Sequence, residues 1–332
     1  MPQKTLHVQL KTAVKKSLCS LNRLLGRYQE KLFVLGEGRS GTTWLMNLLN
    51  FDQRYRVLFE PFQTECFAKA VPYKSEYPFP DSKHTTAVSE HISRVMRGEF
   101  ISDKVSIGFP KALFRGLLIK DVSAHLIIDP ICSAAPDMQR IMLLRHPFAV
   151  AHSKSKAFTW PTVPNTFLSQ HNSLRATLQP QRELIEKVER EGNELLKQIL
   201  LWCMAYHIAF SARSSGGFVV AFYEHMVTDP DSEIPRVFTE LNMAGRFLQN
   251  RTLIEDQYRK KSHVTQAEDA IDHSRRGKSK WREEWSSKTI DTGLSILEAF
   301  GMDVVYDDSY YPLLDSTQLR LHLTKISELG AA

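Results

Sequence analysis

The stretch FVLGEGRSGTTWLMNLLN, residues 33–50, constrains the fold more than any other part of the chain. A short apolar run leads into glycines at positions 36, 38 and 41, and a helix-like stretch follows them. Glycine permits tight turns and a close approach of the backbone to a ligand. Because the amides at a helix N-terminus attract anions, the stretch predicts a strand, a phosphate-binding loop and a helix.

The cation of this loop occupies a different position from the lysine of nucleotide triphosphatases. In their G-x4-G-K-[ST] loop, a lysine reaches the phosphates and a hydroxyl binds magnesium. Here Gly36 and Gly41 have the required spacing, but Thr42 takes the lysine position and Thr43 follows it. The basic residue, Arg39, lies inside the loop instead. This arrangement indicates a phosphate site that is neutralised by a protein cation.

An acidic partner for magnesium is not evident either. Asp121 follows an apolar run, but Lys120 stands beside it and would compete with a metal. We therefore expect a site that requires no metal. A nucleotide kinase or NTPase is the alternative, and it predicts magnesium dependence.

The chain alternates short apolar runs with helical stretches. The runs are residues 32–35, 57–59, 117–119, 141–144 and 218–222. Each is too short for a helix and is typical of a buried parallel strand. Helical stretches, including 179–213, separate them. We predict an α/β fold, a three-layer parallel sheet flanked by helices, with ligands outside the carboxyl ends of the strands.

We expect residues 1–28 to form a basic amphipathic helix and residues 29–332 to form one domain. Acceptor-site inserts are expected near 62–110 and 156–180, which are irregular and rich in aromatic residues or proline. The helix carries an apolar stripe, which comprises Leu10, Val14, Leu18, Leu21 and Leu25. The favoured interpretation is that the stripe packs on the domain. Peripheral contact of residues 5–27 with an anionic membrane is the alternative.

Composition restricts the classes of protein. The net charge of +6 fits an anionic ligand, a membrane surface or nucleic acid. Four cysteines without a C-x-x-C pair indicate neither a zinc site nor a disulfide framework. The chain has no apolar run of about 18 residues and no signal-like segment, so we expect a cytoplasmic protein, with the inner face of the membrane as a peripheral location.

The stretch GRSGTTWL resembles the 5′-phosphosulfate loop of sulfotransferases that use 3′-phosphoadenylyl sulfate (PAPS). The resemblance implies a P-loop-like sulfotransferase fold, and its arginine form is more typical of carbohydrate-type members. The residues that it assigns to the 5′-phosphosulfate are Arg39, Ser40, Gly41, Thr42 and Thr43.

The stretch QRIMLLRHPFAVAHSKSK is similar to the 3′-phosphate element of the same family. Arg145 ends a predicted strand, and Ser153 follows eight residues later at a predicted helix start. A guanidinium fork and a hydroxyl near a helix N-terminus also make a good phosphate site on physical grounds. Two anion sites suit a nucleotide with phosphates on both its 5′ and 3′ sides.

Two further stretches match the family in order. VVAFYEHMVTDP resembles the segment whose tyrosine contacts adenine, which assigns Tyr223, and Trp44 matches the tryptophan of the adenine pocket. His225 replaces the usual aspartate of that segment. HSRRGKSKWREEW looks like the late loop that closes over the 3′-phosphate, with Trp281 as its marker. The residues carried over from that loop are Arg275, Arg276 and Gly277, and the choice between the two arginines stays open.

The general base is less well defined by the resemblance. Cytosolic members use a histidine after the third strand, where this chain has Val122, and His125 is the nearest imidazole. Carbohydrate-type members often use a glutamate after the second strand, which corresponds to Glu60. We favour Glu60 as the base, with His125 as the alternative, and we expect Lys120 to steady the sulfuryl group or the base.

The resemblance implies a sulfotransferase that uses PAPS, releases adenosine 3′,5′-bisphosphate and acts on a hydroxyl of a sugar, glycolipid or glycosylated metabolite. Nucleic acid is not expected as a partner. Besides the kinase, a catalytically inactive nucleotide binder and a non-catalytic polyanion or membrane binder are alternatives. A polyanion binder would show a steep dependence of binding on salt.

Overall fold

A computed structural model describes residues 2–67, 85–102, 104–106, 113–156, 176–191, 193–260 and 280–329. Its sheet has five parallel strands in the order β2-β3-β1-β4-β5. The strands are β1 Glu30–Leu35, β2 Tyr55–Phe59, β3 Gly116–Asp121, β4 Gln139–Leu144 and β5 Val219–Phe222. All five apolar runs singled out in the sequence form strands, which confirms the predicted α/β sheet.

Helices connect the strands and cover both faces of the sheet. The described α-helices are α1 Pro2–Leu24, α2 Thr42–Leu49, α3 Thr85–Met96, α4 Ile128–Ala134, α5 Pro147–Ser155, α6 Arg182–Glu191, α7 Glu194–Ser211, α8 Tyr223–Thr228, α9 Pro230–Glu240, α10 Ala244–Gln249, α11 Arg251–Arg259, α12 Lys280–Glu284, α13 Ser287–Ala299 and α14 Ser316–Leu329. Short 3₁₀ turns lie at Thr64–Cys66, Ala124–Ile127, Gln179–Gln181 and Ser215–Gly217.

Two apolar cores lie on opposite faces of the sheet, so the fold has three layers. Leu32 and Val34 of β1 belong to the core that α2, α9 and α11 help to form. Phe33 and Leu35 belong to the larger core with α3, α5 and α7. Because both faces of the sheet are covered, its strands read as continuous apolar runs rather than as alternating ones.

The predicted helical stretch 179–213 is interrupted. It consists of a 3₁₀ turn followed by α6 and α7, and residue 192 between the two helices is not described. The side chain of Asn193 accepts hydrogen bonds from the amides of Leu195 and Leu196, which starts a new helix at that point. Asparagine is among the best N-cap residues, so this break has a local cause.

Helix α1 meets the domain through a different face from the one that we predicted. The buried residues in its described part include Cys19 and Asn22. The Asn22 side chain accepts a hydrogen bond of 2.8 Å from the amide of Phe114, which satisfies a buried backbone donor. By contrast, the exposed residues of the predicted apolar stripe are Val14, Leu21 and Leu25. In the parts of the chain that the structure describes, no helix is long and apolar enough to cross a bilayer.

The carboxyl ends of the five parallel strands meet at one edge of the sheet. The glycine loop follows β1, Glu60 follows β2, Lys120 lies near the end of β3, Arg145 follows β4 and Tyr223 follows β5. This edge is where ligands bind in open α/β sheets. The fold therefore collects at one edge the five segments that the sequence had singled out separately.

Candidate active site

The glycine loop is shaped by two close approaches of the backbone. A Cβ atom at Gly36 would lie 2.5 Å from the carbonyl oxygen of Leu143 on the neighbouring strand β4. Gly41 has a φ of 93° and precedes α2, and a Cβ there would lie 2.7 Å from the ring of Tyr223. Only glycine fits these two positions without displacement of a neighbour. The turn that the sequence predicted is thus required by both packing and conformation.

Arg39 connects the loop to the segment that follows β4. Its Nε atom donates a hydrogen bond of 3.0 Å to the hydroxyl of Ser153, and Arg145 donates one of 2.8 Å to its carbonyl oxygen. Residue 39 and residues 145 and 153 come from two separate parts of the sequence. The structure therefore places the residues predicted for the two phosphate sites in direct contact. The prediction that Ser153 lies at a helix start is wrong, because α5 begins at Pro147 and Ser153 lies in its last turn.

The other polar residues of the loop present donors at the start of α2. Ser40, Thr42 and Thr43 are buried at this turn. The Ser40 hydroxyl makes no hydrogen bond to any of the described residues. A buried donor without a protein partner beside the first amides of a helix fits an anionic group. The residues present thus suit a 5′-phosphosulfate.

Tyr223 forms one wall of the candidate nucleotide site. The Arg145 guanidinium lies 4.5 Å from its ring centroid, and burial raises the pKa of its hydroxyl. Trp44 is buried, and its ring lies edge-to-face with that of Tyr223 at a centroid distance of 6.3 Å. Its indole nitrogen donates a hydrogen bond of 3.2 Å to the carbonyl oxygen of Tyr258. Trp44 thus supports the ring of Tyr223 from the core side of α2.

A buried ion pair that was not predicted from the sequence joins the glycine loop to α5. Lys154 and Glu37 are both buried, and Nζ lies 2.6 Å from Oε1. The Glu37 amide donates to the hydroxyl of Tyr206, which in turn donates to the carbonyl oxygen of Leu143. The available signal was a charged residue inside the glycine loop and another directly after Ser153.

We expect Lys154→Met to lower the free energy of unfolding by about 3 kcal/mol, because it leaves the Glu37 carboxylate buried without its cation. The double variant Glu37→Gln/Lys154→Met removes both charges and should recover most of that loss. Urea unfolding of the wild type, both single variants and the double variant gives the coupling energy. Equal losses in the single and double variants would contradict this role of the pair.

Glu60 lies across the edge of the sheet and is held by two partners. Its Oε1 forms an ion pair with Lys120, and its Oε2 accepts a hydrogen bond from Gln63. The Lys120 ammonium also lies 4.5 Å from the ring centroid of Phe59. The ion pair with Lys120 is by itself a structural role for Glu60. The orientation of the carboxylate is nevertheless fixed at the carboxyl end of β2.

Backbone strain distinguishes Arg39 and Glu60 from most other residues. In the described ranges, the non-glycine residues with positive φ are Arg39 at 69°, Gln53 at 53°, Glu60 at 54° and Asn242 at 55°. Asparagine tolerates this conformation, whereas arginine and glutamate do so only at a cost. Such strain tends to occur at functional sites, so its presence at Arg39 and Glu60 supports their selection among the predicted site residues.

A cleft opens beside Glu60 on the side of the 62–110 insert. Its lining combines two carboxylates, an amide, an ammonium group and a few apolar side chains. The lining residues are Phe59, Glu60, Gln63, Glu65, Cys66, Lys104 and Val105. The hydrogen-bonding side chains of this cleft offer contacts for the hydroxyls of an acceptor.

His125, the alternative base, lies inside the domain. It is fully buried in the 3₁₀ turn after β3, with its ring 5.0 Å from that of Tyr206. Burial lowers its pKa to about 4. A base must come within hydrogen-bond reach of the hydroxyl that it deprotonates. We therefore retain Glu60, which borders the cleft, as the predicted base.

A second buried network fixes the start of α5. Glu224 accepts hydrogen bonds from the amide of His146 at 2.8 Å and from the hydroxyl of Tyr306 at 3.2 Å. His146 accepts from the amide of Phe148 and pairs through Nε2 with the carbonyl oxygen of Asp307, so Nε2 carries the proton. Burial lowers the pKa of His146 to about 4 and raises that of Glu224 to about 7.

Glu224→Gln should change how stability depends on pH. Because the folded pKa of Glu224 is raised from 4.5 to about 7, the stability that its protonated form contributes is lost as the pH rises through about 7. The neutral glutamine can accept from the His146 amide through its oxygen and donate to the Tyr306 hydroxyl through its NH2 group. The variant should therefore gain on the order of 3 kcal/mol relative to the wild type between about pH 5 and about pH 8. Parallel curves of unfolding free energy against pH would contradict the shift.

The residues predicted for the late phosphate loop, Arg275, Arg276 and Gly277, lie outside the described residues. The helix that follows them, α12, is described and packs against α5. Its Trp281 is buried and stacks on His146 with a centroid distance of 5.1 Å. Its Glu284 lies 3.0 Å from His152, and the hydrogen bond to His152 lowers the pKa of Glu284 to about 2.

Asp121, the one acidic residue weighed as a metal ligand, is fully buried. Its carboxylate accepts hydrogen bonds from the amides of Phe62 and Ser123, and burial raises its pKa to about 7. Its oxygens therefore serve the turns after β2 and β3. Within the described ranges, no group of three or more histidine, cysteine or acidic side chains is arranged to hold a metal ion.

The fold and the site together describe an α/β protein whose glycine loop, after β1, carries the cation Arg39 within it. A family model described as "Sulfotransferase family" matches residues 31–246. This match covers more than half of the chain, and the chain belongs to the sulfotransferase family. No curated protein is similar enough in sequence to match.

Two solved structures resemble the chain in fold. One is the sulfotransferase domain from the Synechococcus PCC 7002 olefin synthase, with 15% identity, a TM-score of 0.48, and coverage of 85% of this chain and 96% of that domain. The other is the sulfotransferase domain from the curacin biosynthetic pathway, with 14% identity, a TM-score of 0.45, and coverage of 83% and 98%.

Proposed function

We propose that the protein transfers the sulfuryl group of PAPS to a hydroxyl of a sugar, glycolipid or glycosylated metabolite. The observation that carries the proposal is the contact between Arg39, Arg145 and Ser153 at the carboxyl ends of β1 and β4. A loop cation beside a second cation–hydroxyl pair offers donors for two phosphates of one nucleotide. An ordinary ATP enzyme has no use for the second site.

The roles of the nucleotide-binding residues follow from their positions. The loop hydroxyls and the first amides of α2 bind the 5′-phosphosulfate, and Arg145 with Ser153 binds the 3′-phosphate. Tyr223, supported by Trp44, packs against the adenine. In this proposal Arg275, Arg276 and Gly277 close over the 3′-phosphate from the segment before α12.

Sulfuryl transfer places few covalent demands on the protein, as in phosphoryl transfer. The donor supplies an activated sulfuryl group, and adenosine 3′,5′-bisphosphate is the leaving group. Glu60 takes the proton of the acceptor hydroxyl as the new S–O bond forms in line with the bond that breaks. Arg39 stabilises the negative charge that grows on the bridging oxygen, and Lys120 orients the Glu60 carboxylate.

The lining of the cleft supports the choice of a sugar. Glu60, Gln63 and Glu65 supply acceptors or donors on one side, and Lys104 faces them and contacts Glu65 at 2.8 Å. Vicinal hydroxyls offer further hydrogen bonds to this set of polar groups, and a phenol offers fewer. We infer that this cleft receives the acceptor.

The test is product formation from PAPS with a panel of glycans and glycolipids, beside a panel of phenols and sterols. The account predicts release of adenosine 3′,5′-bisphosphate that depends on a glycan or glycolipid and persists in EDTA. Transfer to phenols alone would refute the acceptor class but not the reaction. Magnesium-dependent hydrolysis of ATP without use of PAPS would refute the reaction.

A further inference from the structure

The excess positive charge of this protein is concentrated in its first helix. Residues 1–29 contain six cations and no aspartate or glutamate, so their net charge is +6. The whole chain has 43 cations and 37 acids, and its net charge is also +6. The remaining 37 cations are therefore balanced by 37 acids. The cations of the segment are Lys4, Lys11, Lys15, Lys16, Arg23 and Arg27.

Four large apolar side chains of this segment are exposed. Val14 is 51% exposed, Leu21 43%, Leu24 86% and Leu25 51%. Their spacing of three, four and seven residues puts these side chains on one side of the helix. The buried Cys19 faces the opposite side. The exposed apolar residues thus form one stripe, which we call the outer stripe of α1 (Val14, Leu21, Leu24 and Leu25).

Cations share the exposed surface of this segment with the outer stripe. Lys16, Arg23 and Arg27 are exposed there, and Arg23 forms an ion pair with Glu99 at 3.1 Å. Lysine and arginine stems extend along an apolar surface while their charged ends reach outward. An exposed apolar stripe on a segment that carries cations and no acids of its own matches the negative surface of a bilayer, where lipid phosphates lie directly above the acyl region.

We propose that α1 binds peripherally to anionic membranes, with the outer stripe in the interfacial region and the exposed cations of residues 1–29 on lipid phosphates. The charge balance favours a lipid surface over a folded protein partner, because six cations without one acid offer no mixed pattern for a specific protein surface to complement. The helix holds the domain by its other face, so the outer stripe is available while the fold stays intact.

Vesicle flotation of the full chain tests this proposal. The vesicles contain phosphatidylcholine alone or with phosphatidylglycerol, at low and high salt. Leu21→Gln/Leu24→Gln removes apolar area, and Lys16→Gln/Arg27→Gln removes charge. The matched control is Leu248→Gln/Leu253→Gln, which alters two leucines that are 75% and 55% exposed on α10 and α11. Circular dichroism and thermal unfolding verify that each variant is folded.

We expect the wild type and the control to float with the anionic vesicles, and binding to weaken at high salt. The leucine variant should bind about tenfold more weakly, and each cation removed should cost about fivefold. Absence of binding at low salt, or equal loss in the control, would overturn the proposal. A dimer that forms without vesicles and that the leucine variant abolishes would also overturn it, because the outer stripe would then bind a second copy of the chain. Equally tight binding of a DNA duplex by the wild type and the leucine variant would overturn it too.

Discussion

Arg39→Ala is expected to reduce the turnover of PAPS about ten-thousandfold, the range found for arginines that stabilise charge during phosphoryl transfer. The guanidinium lies inside the loop and is held by Ser153, so it is positioned before the nucleotide binds. A preorganised cation acts mainly on the charge that develops in the transition state. Binding of adenosine 3′,5′-bisphosphate should therefore weaken far less than turnover.

Steady-state kinetics and calorimetry on the same preparations separate these two effects. Arg39→Lys retains a cation and should restore part of the rate. Arg251→Ala, an exposed arginine paired with Glu255 on α11, is the matched control and should behave as the wild type. Near-normal turnover in Arg39→Ala would refute the role that we assign to the loop cation.

Glu60→Gln is expected to reduce kcat for the best glycan acceptor about a thousandfold, which is within the range for loss of a general base. The amide keeps the size of the side chain and its contact with Gln63, but it does not accept the proton of the acceptor hydroxyl. Because Glu60 contacts Lys120 rather than the nucleotide loop, binding of adenosine 3′,5′-bisphosphate should stay unchanged.

Glu65→Gln is the control for this variant, since Glu65 lines the same cleft but is paired with the exposed Lys104. It should alter KM for the acceptor more than kcat. A Glu60→Gln variant with normal kcat would mean that Glu60 serves only the ion pair with Lys120. His125→Asn, in the interior, would then be the next variant to measure.

Much of the fold followed from local patterns in the sequence. The five strands were predicted because buried parallel strands are continuous apolar runs that end in turns. The glycine loop could be predicted because Gly36 and Gly41 meet needs of packing or conformation that no other residue meets. The functional residues after the strands could be named because parallel strands end at one edge.

The buried ion pair and the orientation of α1 were not predicted, for a shared physical reason. Glu37 and Lys154 lie 117 positions apart, and only the packing of α5 on the sheet brings them together. The apolar stripe of α1 was assumed to face the domain because burial of apolar area is the usual driving force. In the structure, the side-chain oxygen of Asn22 instead faces the domain, where it accepts a hydrogen bond from the buried backbone amide of Phe114.

The central claim is that one nucleotide fills two phosphate sites. Calorimetry with adenosine 3′,5′-bisphosphate, AMP and ATP–magnesium, on the wild type and Arg145→Ala, tests it most directly. The account predicts that the wild type binds the bisphosphate about a hundredfold more tightly than AMP, from charge-assisted hydrogen bonds to the 3′-phosphate. Arg145→Ala should lose that preference. Equal or tighter binding of ATP–magnesium by the wild type would contradict the account and favour a kinase.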